Sequence, residues 1–317
     1  MRRTPIRSFS NQAILAQHPP YFVPILNALS FSINLFGSVA VNFPRLLLLC
    51  LFCVAAGPWL AVEAMTFMSS GAHAGTYVAE VDEGRRFGHG YAKHYRAPRD
   101  IGSRHSLQMP KYGLVGEDVA RTYHAIGPTT GKPRPTIVLL HGGGRDGRSM
   151  LDMWKTLAAQ EDIVLLAPTA AKGNWSMLND GVFVAEQLIE HASETYPIDH
   201  DNVFLVRHSM GGKFAIRLAN YGYGPWRGVQ VHAASVWSNS LVPNQSGAPI
   251  QFHVGELDRM FTPEFVNAAA ERLAQGGHDV EVTVIRNHTH WYYDIAPELA
   301  PQVWKRFQKL VRTGDAA

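Results

Sequence analysis

The chain has 317 residues, of which 46% are hydrophobic and 17% charged, and carries a net charge of +3. That length suits one large domain or two small ones. The near-neutral balance, with no run of Lys and Arg able to track a phosphate backbone, excludes nucleic acid as a partner.

The charged share falls below the roughly one quarter usual in globular chains, and the deficit is local. No Lys, Arg, Asp or Glu occurs from Ile14 to Pro44. Arg45 then precedes an apolar run from Leu46 to Ala56. A cation ahead of such a run is the pattern of a signal-peptide core, here about residues 46–62. Ala61-Val62-Glu63-Ala64 and Ala72-His73-Ala74 both offer small residues for cleavage. Residues 1–74 are therefore expected to be an N-terminal extension that directs export, so the protein is expected to be secreted or periplasmic. The alternative is a retained membrane anchor, supported by the uncharged stretch Tyr21–Phe43. Either arrangement leaves the following domain outside the cytoplasm. The two cysteines, Cys50 and Cys53, lie inside the apolar run. They read as apolar residues of that run, and a cysteine-free remainder is at home in an oxidising compartment.

Residues 75–112 are rich in Gly, Arg and His with weak periodicity and read as a leader. Residues 113–317 are expected to form the catalytic domain. Continuous apolar runs at Thr136–Leu140, Ile163–Ala167, Val203–Val206, Val231–Val236, Ile250–Val254 and Val280–Ile285 suggest strands buried on both faces. Helical patterns alternate with them: Ser149–Ala159, Asp180–Thr195, Met210–Asn220, Pro263–Gln275 and Pro297–Val311. Pro263 and Pro297 suit first-turn positions. This alternation predicts an α/β fold, a doubly wound and mostly parallel sheet with helices on both faces. Ligands of such sheets bind beyond the carboxyl ends of the strands.

The chemistry-bearing residues fall at those ends. Arg207-His208-Ser209-Met210-Gly211-Gly212 joins a strand to a helix. A serine on such a sharp turn presents its hydroxyl at the sheet edge, which makes Ser209 the candidate nucleophile. The Met210 N–H at the helix start is one candidate oxyanion donor. His141-Gly142-Gly143-Gly144 follows an earlier strand, and bare glycine N–H groups there offer a second donor from Gly142 or Gly143. Asp258, after the Ile250–Val254 strand, is the candidate acid, with Glu256 as fallback. His288, after the last strand, is the candidate base, and His290 is the alternative. The order Ser, Asp, His is the one α/β-hydrolases use. Trp291 and Tyr292 beside the histidines, with His141, are candidates for the substrate pocket. No metal or cofactor motif is found, and the expected chemistry needs neither.

From about Arg121 to Phe307 these residues resemble the secreted α/β-hydrolase esterases grouped with polyhydroxybutyrate depolymerases and feruloyl esterases. The resemblance rests on His141-Gly142-Gly143-Gly144, the Asp180–Pro197 helix, Ser209-Met210-Gly211-Gly212, Gly255-x-x-Asp258 and His288-x-His290-Trp291-Tyr292-Tyr293-Asp294. It implies a serine esterase acting through an acyl-enzyme on a small-molecule ester, or on an exposed polyester or polysaccharide-linked ester. Arg207 departs from the pattern, because the first glycine of G-x-S-x-G stands there. Asn287 departs more mildly, in place of another glycine, because asparagine tolerates unusual backbone angles. The alternatives are a peptidase or amidase using the same triad, and a catalytically impaired binding protein, the latter motivated by Arg207. About a dozen residues, Trp237–Pro249, separate two strands where lipases carry a lid, so no large lid is expected.

Overall fold

The computed structural model describes residues 75–79, 95–109, 119–236, 240–243 and 247–312. The expected signal or anchor segment lies outside the described residues. All of the described residues fall in one compact unit, Thr66–Ala317.

Nine strands form a single sheet among the described residues: β1 (Gly75–Ala79), β2 (Ser103–Met109), β3 (Val119–Ile126), β4 (Arg134–Leu140), β5 (Val164–Pro168), β6 (Ile198–His208), β7 (Trp226–His232), β8 (Ile250–Gly255) and β9 (Val280–Ile285). Their spatial order is β1-β9-β8-β7-β6-β4-β5-β3-β2. The pairs β2–β3 and β3–β5 are antiparallel, and all the others are parallel.

Why the central strands read as unbroken apolar runs is visible in the packing. Alternate side chains of one strand enter two different cores. Val138 and Leu140 of β4, with Val203 and Leu205 of β6, join the cluster that includes Leu188, Phe214 and Val266. Ile137, Leu139, Phe204 and Val206 join the opposite cluster, with Trp154, Val303 and Phe307. The first core is covered by α2 (Met177–Val182), its π-turn continuation Phe183–Gln187, α3 (Leu188–Ser193), α4 (Gly211–Asn220) and α5 (Pro263–Gln275). The second is covered by α1 (Gly147–Glu161) and α6 (Ala296–Gln308). With both faces buried, the central strands are apolar along most of their length, and their buried polar residues, among them Arg207, His208 and His232, gather toward the carboxyl ends.

Capping fixes where the helices begin. Asp146 accepts from the N–H of Arg148 ahead of α1, and Thr262 accepts from the N–H of Phe265 ahead of α5. Pro263 and Pro297 occupy the first turns of α5 and α6, where a missing N–H costs nothing.

Three expectations need correction. The 75–112 stretch is more than a leader, because it supplies β1 and β2. β2 carries no apolar run because it lies at the sheet edge, half-exposed, with Ser, Arg, His and Gln among its residues. The strand expected at Val231–Val236 is β7, which begins earlier and ends at His232, where Ala233 turns into the left-handed region at φ 50. The helix expected from Asp180 starts at Met177, capped by Ser176.

Leu139 of β4 is fully buried in the second core. Leu139→Ala is expected to lower unfolding free energy by about 2–5 kcal/mol. Urea melts should show a reduced midpoint with an unchanged slope.

Candidate active site

Five loops at the carboxyl ends of the strands converge, the last two as one group. The first is the β6–α4 turn. Ser209 lies at φ 51 and is 6% exposed. Its N–H donates to His232 O at 3.0 Å, and its carbonyl accepts from Gly212 N at 2.7 Å. The strand ladder thus continues through the serine, and α4 starts immediately after it.

The second loop follows β4. His141 is fully buried, and both its ring nitrogens are engaged. Nε2 accepts from the N–H of Ala170 at 3.1 Å, which leaves the Nδ1–H to donate to Gly142 O at 2.7 Å. His141 therefore holds the loop and does not line a pocket, contrary to expectation. A Cβ on Gly142 would stand 3.0 Å from His208 Cδ2 and 3.6 Å from Ser209 Cβ, and one on Gly143 would stand 3.1 Å from Met210 Cγ. Both glycines thus lie against the serine turn with their faces bare.

A third loop, residues 170–176, backs this one. Trp175 Nε1 donates to His141 O at 2.9 Å. Buried Asp180 accepts from the N–H groups of Ala171 and Ser176 and pairs with Arg121. Trp175 and Asn174, which comes close to Gly143, are site neighbours that sequence reasoning did not assign. The spacing of Asp180 from the loop held no signal for this role.

The fourth group comes from β8 and β9. Asp258 Oδ1 accepts from the N–H groups of Met260 (2.8 Å) and Phe261 (2.9 Å). Its Oδ2 lies 2.9 Å from His290 Nδ1, and His290 Nε2 lies 2.8 Å from Ser209 Oγ. An ionised carboxylate only accepts, so Nδ1 carries the hydrogen and Nε2 is left to accept from the serine hydroxyl. Burial opposes the charge on Asp258. Hydrogen bonds from His290, Phe261 and Met260 outweigh it and hold the carboxyl below its usual range. The His290 ring is stacked on Phe261 and meets Trp291 edge-on.

His290, not His288, bridges Ser209 and Asp258, which corrects the preferred expectation. Asn287 sits at φ 55 and turns the chain, and the His288 carbonyl accepts from Leu257 N at 2.8 Å. His288 consequently faces inward. Its Nε2 lies 3.1 Å from His232 Nε2, and His232 Nδ1 lies 3.1 Å from His208 Nδ1. Glu256, the fallback acid, accepts from the N–H of Asn287 instead. Gly255 admits this arrangement, because a Cβ there would run into the carbonyls of His288 and Thr289.

Tyr292 is also corrected. It is fully buried, and its hydroxyl accepts from Trp154 Nε1 at 2.8 Å, so it belongs to the core. Trp291 does line a cleft of about 680 Å³, together with Leu257, Met260, Thr289 and His290. Leu257 and Met260 of this cleft are exposed, as is Met210 on the serine turn. The lid expectation concerns residues 237–249, of which 237–239 and 244–246 lie outside the described residues. Among the described residues, no group of three or more His, Cys, Asp or Glu is placed to hold a metal ion.

Residues 158–310 match the model of the Dienelactone hydrolase family. No curated protein matches the chain. Among solved structures, a thermostable esterase is similar with a TM-score of 0.53 at 16% identity, over 65% of this chain and 62% of that one. The S-formylglutathione hydrolase of Agrobacterium tumefaciens also reaches 0.53 at 16% identity, over 66% of this chain and 95% of that one. A ferulic acid esterase reaches 0.50 at 14% identity, over 66% and 98%. This chain has the α/β-hydrolase fold. The chain thus spans under two thirds of the thermostable esterase. The serine turn of this α/β-hydrolase domain lies at the carboxyl edge of the sheet, where the fold places its chemistry.

Burial pushes the imidazoles of His288 and His253 down to about 4, from 6.5. Between those values the unfolded chain binds protons that the folded chain refuses, so stability should decline as pH falls from about 6.5 towards 4. Thermal melts between pH 7 and pH 4.5 should show a falling Tm, and His288→Gln should reduce the slope. A Tm independent of pH over this range would contradict the neutral, buried state of these rings.

Proposed function

We propose that this chain is a serine hydrolase of carboxylic esters, with Ser209 as nucleophile, His290 as base and Asp258 as the acid that orients it. One observation carries the reading: the hydrogen-bonded run Asp258–His290–Ser209 at a strand-to-helix turn. The family match and the α/β-hydrolase fold support it.

In this mechanism His290 Nε2 takes the Ser209 hydroxyl proton as Oγ attacks the acyl carbon. Asp258 stabilises the resulting imidazolium without taking its proton. The tetrahedral oxyanion is met by the N–H of Met210 and by that of Gly142 or Gly143. One such donor is typically worth about 3–4 kcal/mol in the transition state. His290 then passes the proton to the departing alcohol, leaving Ser209 acylated. Water, deprotonated by His290, releases the acid and restores the serine.

The exposed apolar side chains and the Trp291 cleft suit a small-molecule ester or an exposed polyester or polysaccharide-linked ester. A ferulic acid esterase among the similar structures, and the resemblance to polyhydroxybutyrate depolymerases, favour this class. Export to the periplasm or the medium, or retention on an N-terminal membrane anchor, follows from residues 1–74 and belongs to the same proposal.

Hydrolysis of p-nitrophenyl acetate and butyrate tests it. Ser209→Ala and His290→Ala should each lower kcat by about 10³-fold or more. His288→Gln should retain most of the turnover. Equal rates for wild type and Ser209→Ala would remove the enzyme reading. A loss in His288→Gln as large as that in His290→Ala would overturn the choice of base.

A further inference from the structure

Arg207, where the pattern of the turn has a glycine, has no task in this mechanism. It is fully buried on β6, paired in register with Leu140 of β4 and Val231 of β7. By strand alternation it points to the same side as Val203 and Leu205, which is the side covered by α4. Its Nη2 donates to the carbonyl of Ser209 at 2.7 Å. That carbonyl also accepts from Gly212 N at 2.7 Å, so two donors hold it from two directions. Nε and Nη1 are buried and meet no hydrogen-bond partner among the described residues.

The space for the guanidinium comes from Gly212. A Cβ at that position would fall on Arg207 Nη1 and Nη2 and on Ala234 Cβ. The first turn of α4 is therefore cut away where the guanidinium lies. A buried guanidinium with a single hydrogen bond is an expensive filler, and an aliphatic side chain of similar volume would carry no such desolvation penalty. What the arginine adds over an aliphatic residue is a donor aimed at the backbone of the serine itself. Ser209 at φ 51 is in a region an L-residue occupies only under constraint, and that φ sets where Oγ points.

We propose that Arg207 is a positioning residue for Ser209. Its guanidinium clamps the Ser209 carbonyl, fixes the left-handed turn, and so keeps Oγ at 2.8 Å from His290 Nε2. Arg207 touches neither the substrate nor the reacting atoms. The inference rests on the reading of Ser209 as nucleophile.

The test compares wild type, Arg207→Met, Arg207→Lys and Ser209→Ala on p-nitrophenyl acetate. It also measures the rate of fluorophosphonate labelling and Tm. Arg207→Met keeps reach and apolar bulk but loses every donor. A misplacement of about 1 Å at a nucleophile costs on the order of 10²-fold. Accordingly, kcat and the labelling rate of Arg207→Met should fall together by about 10- to 100-fold, with KM within about twofold of wild type. Arg207→Lys, which keeps a charged donor without the planar fork, should lie between the two. If folded Arg207→Met has a lower Tm but wild-type kcat per labelled site, the arginine is only packing and the proposal fails. If Arg207→Met does not fold, Arg207→Lys decides alone. A severalfold loss of kcat at constant KM supports the clamp, and wild-type kcat and labelling rate overturn it. Should wild type label no faster than Ser209→Ala, the nucleophile reading itself falls, which is a separate outcome.

Discussion

Ser209 is held at φ 51 between a strand that ends and a helix that begins. Such a backbone costs on the order of 1–3 kcal/mol and persists only where the surroundings over-determine it. Here they do. The N–H of Ser209 is tied to β7 through His232 O, and its carbonyl is tied to α4 through Gly212 N. Arg207 adds a third tie from beneath. The sheet is rigid because alternate residues of β4 and β6 lock into two separate cores. That rigidity lets one strained residue project its hydroxyl with a fixed direction.

The base is set by the same kind of over-determination. His290 is fixed at both nitrogens and packed by Phe261 and Trp291. Asp258 has its other oxygen filled by two backbone N–H groups, so the carboxylate cannot turn away from His290. Beneath them His288, His232 and His208 form a buried file of imidazoles at 3.1 Å spacings. Burial drives His208 and His232 well below the usual imidazole range, with neighbouring histidines and, for His208, Arg207 pushing the same way. Neutral rings are therefore the stable state there. His290 differs from this file in having an acid partner at Nδ1.

The central strands and the serine turn were legible because their signal is local: an apolar run, then a turn sequence, then a helical pattern. The edge strands were not. β2 buries little, so its side chains carry no apolar period, and β1 is distant in sequence from the β9 strand it joins. Choosing between His288 and His290 also exceeded what spacing conveys. Both lie just past β9, and the decision depends on Asn287 entering the left-handed region and on Leu257 holding the His288 carbonyl. Asparagine at 287 hinted at the unusual angle but not at its consequence. Proximity to the histidines points Tyr292 to the pocket, whereas its hydroxyl is committed to Trp154 across the second core. His141 is a similar case: its place at a strand end suggests access, but Ala170 closes over it and occupies Nε2.

The most direct test of the central claim is where a fluorophosphonate attaches. Peptide mass spectrometry of the treated protein should find one phosphonyl group, on Ser209, and His290→Ala should remove nearly all of it under the same conditions. Attachment at another serine, or undiminished labelling of Ser209 without His290, would contradict the account.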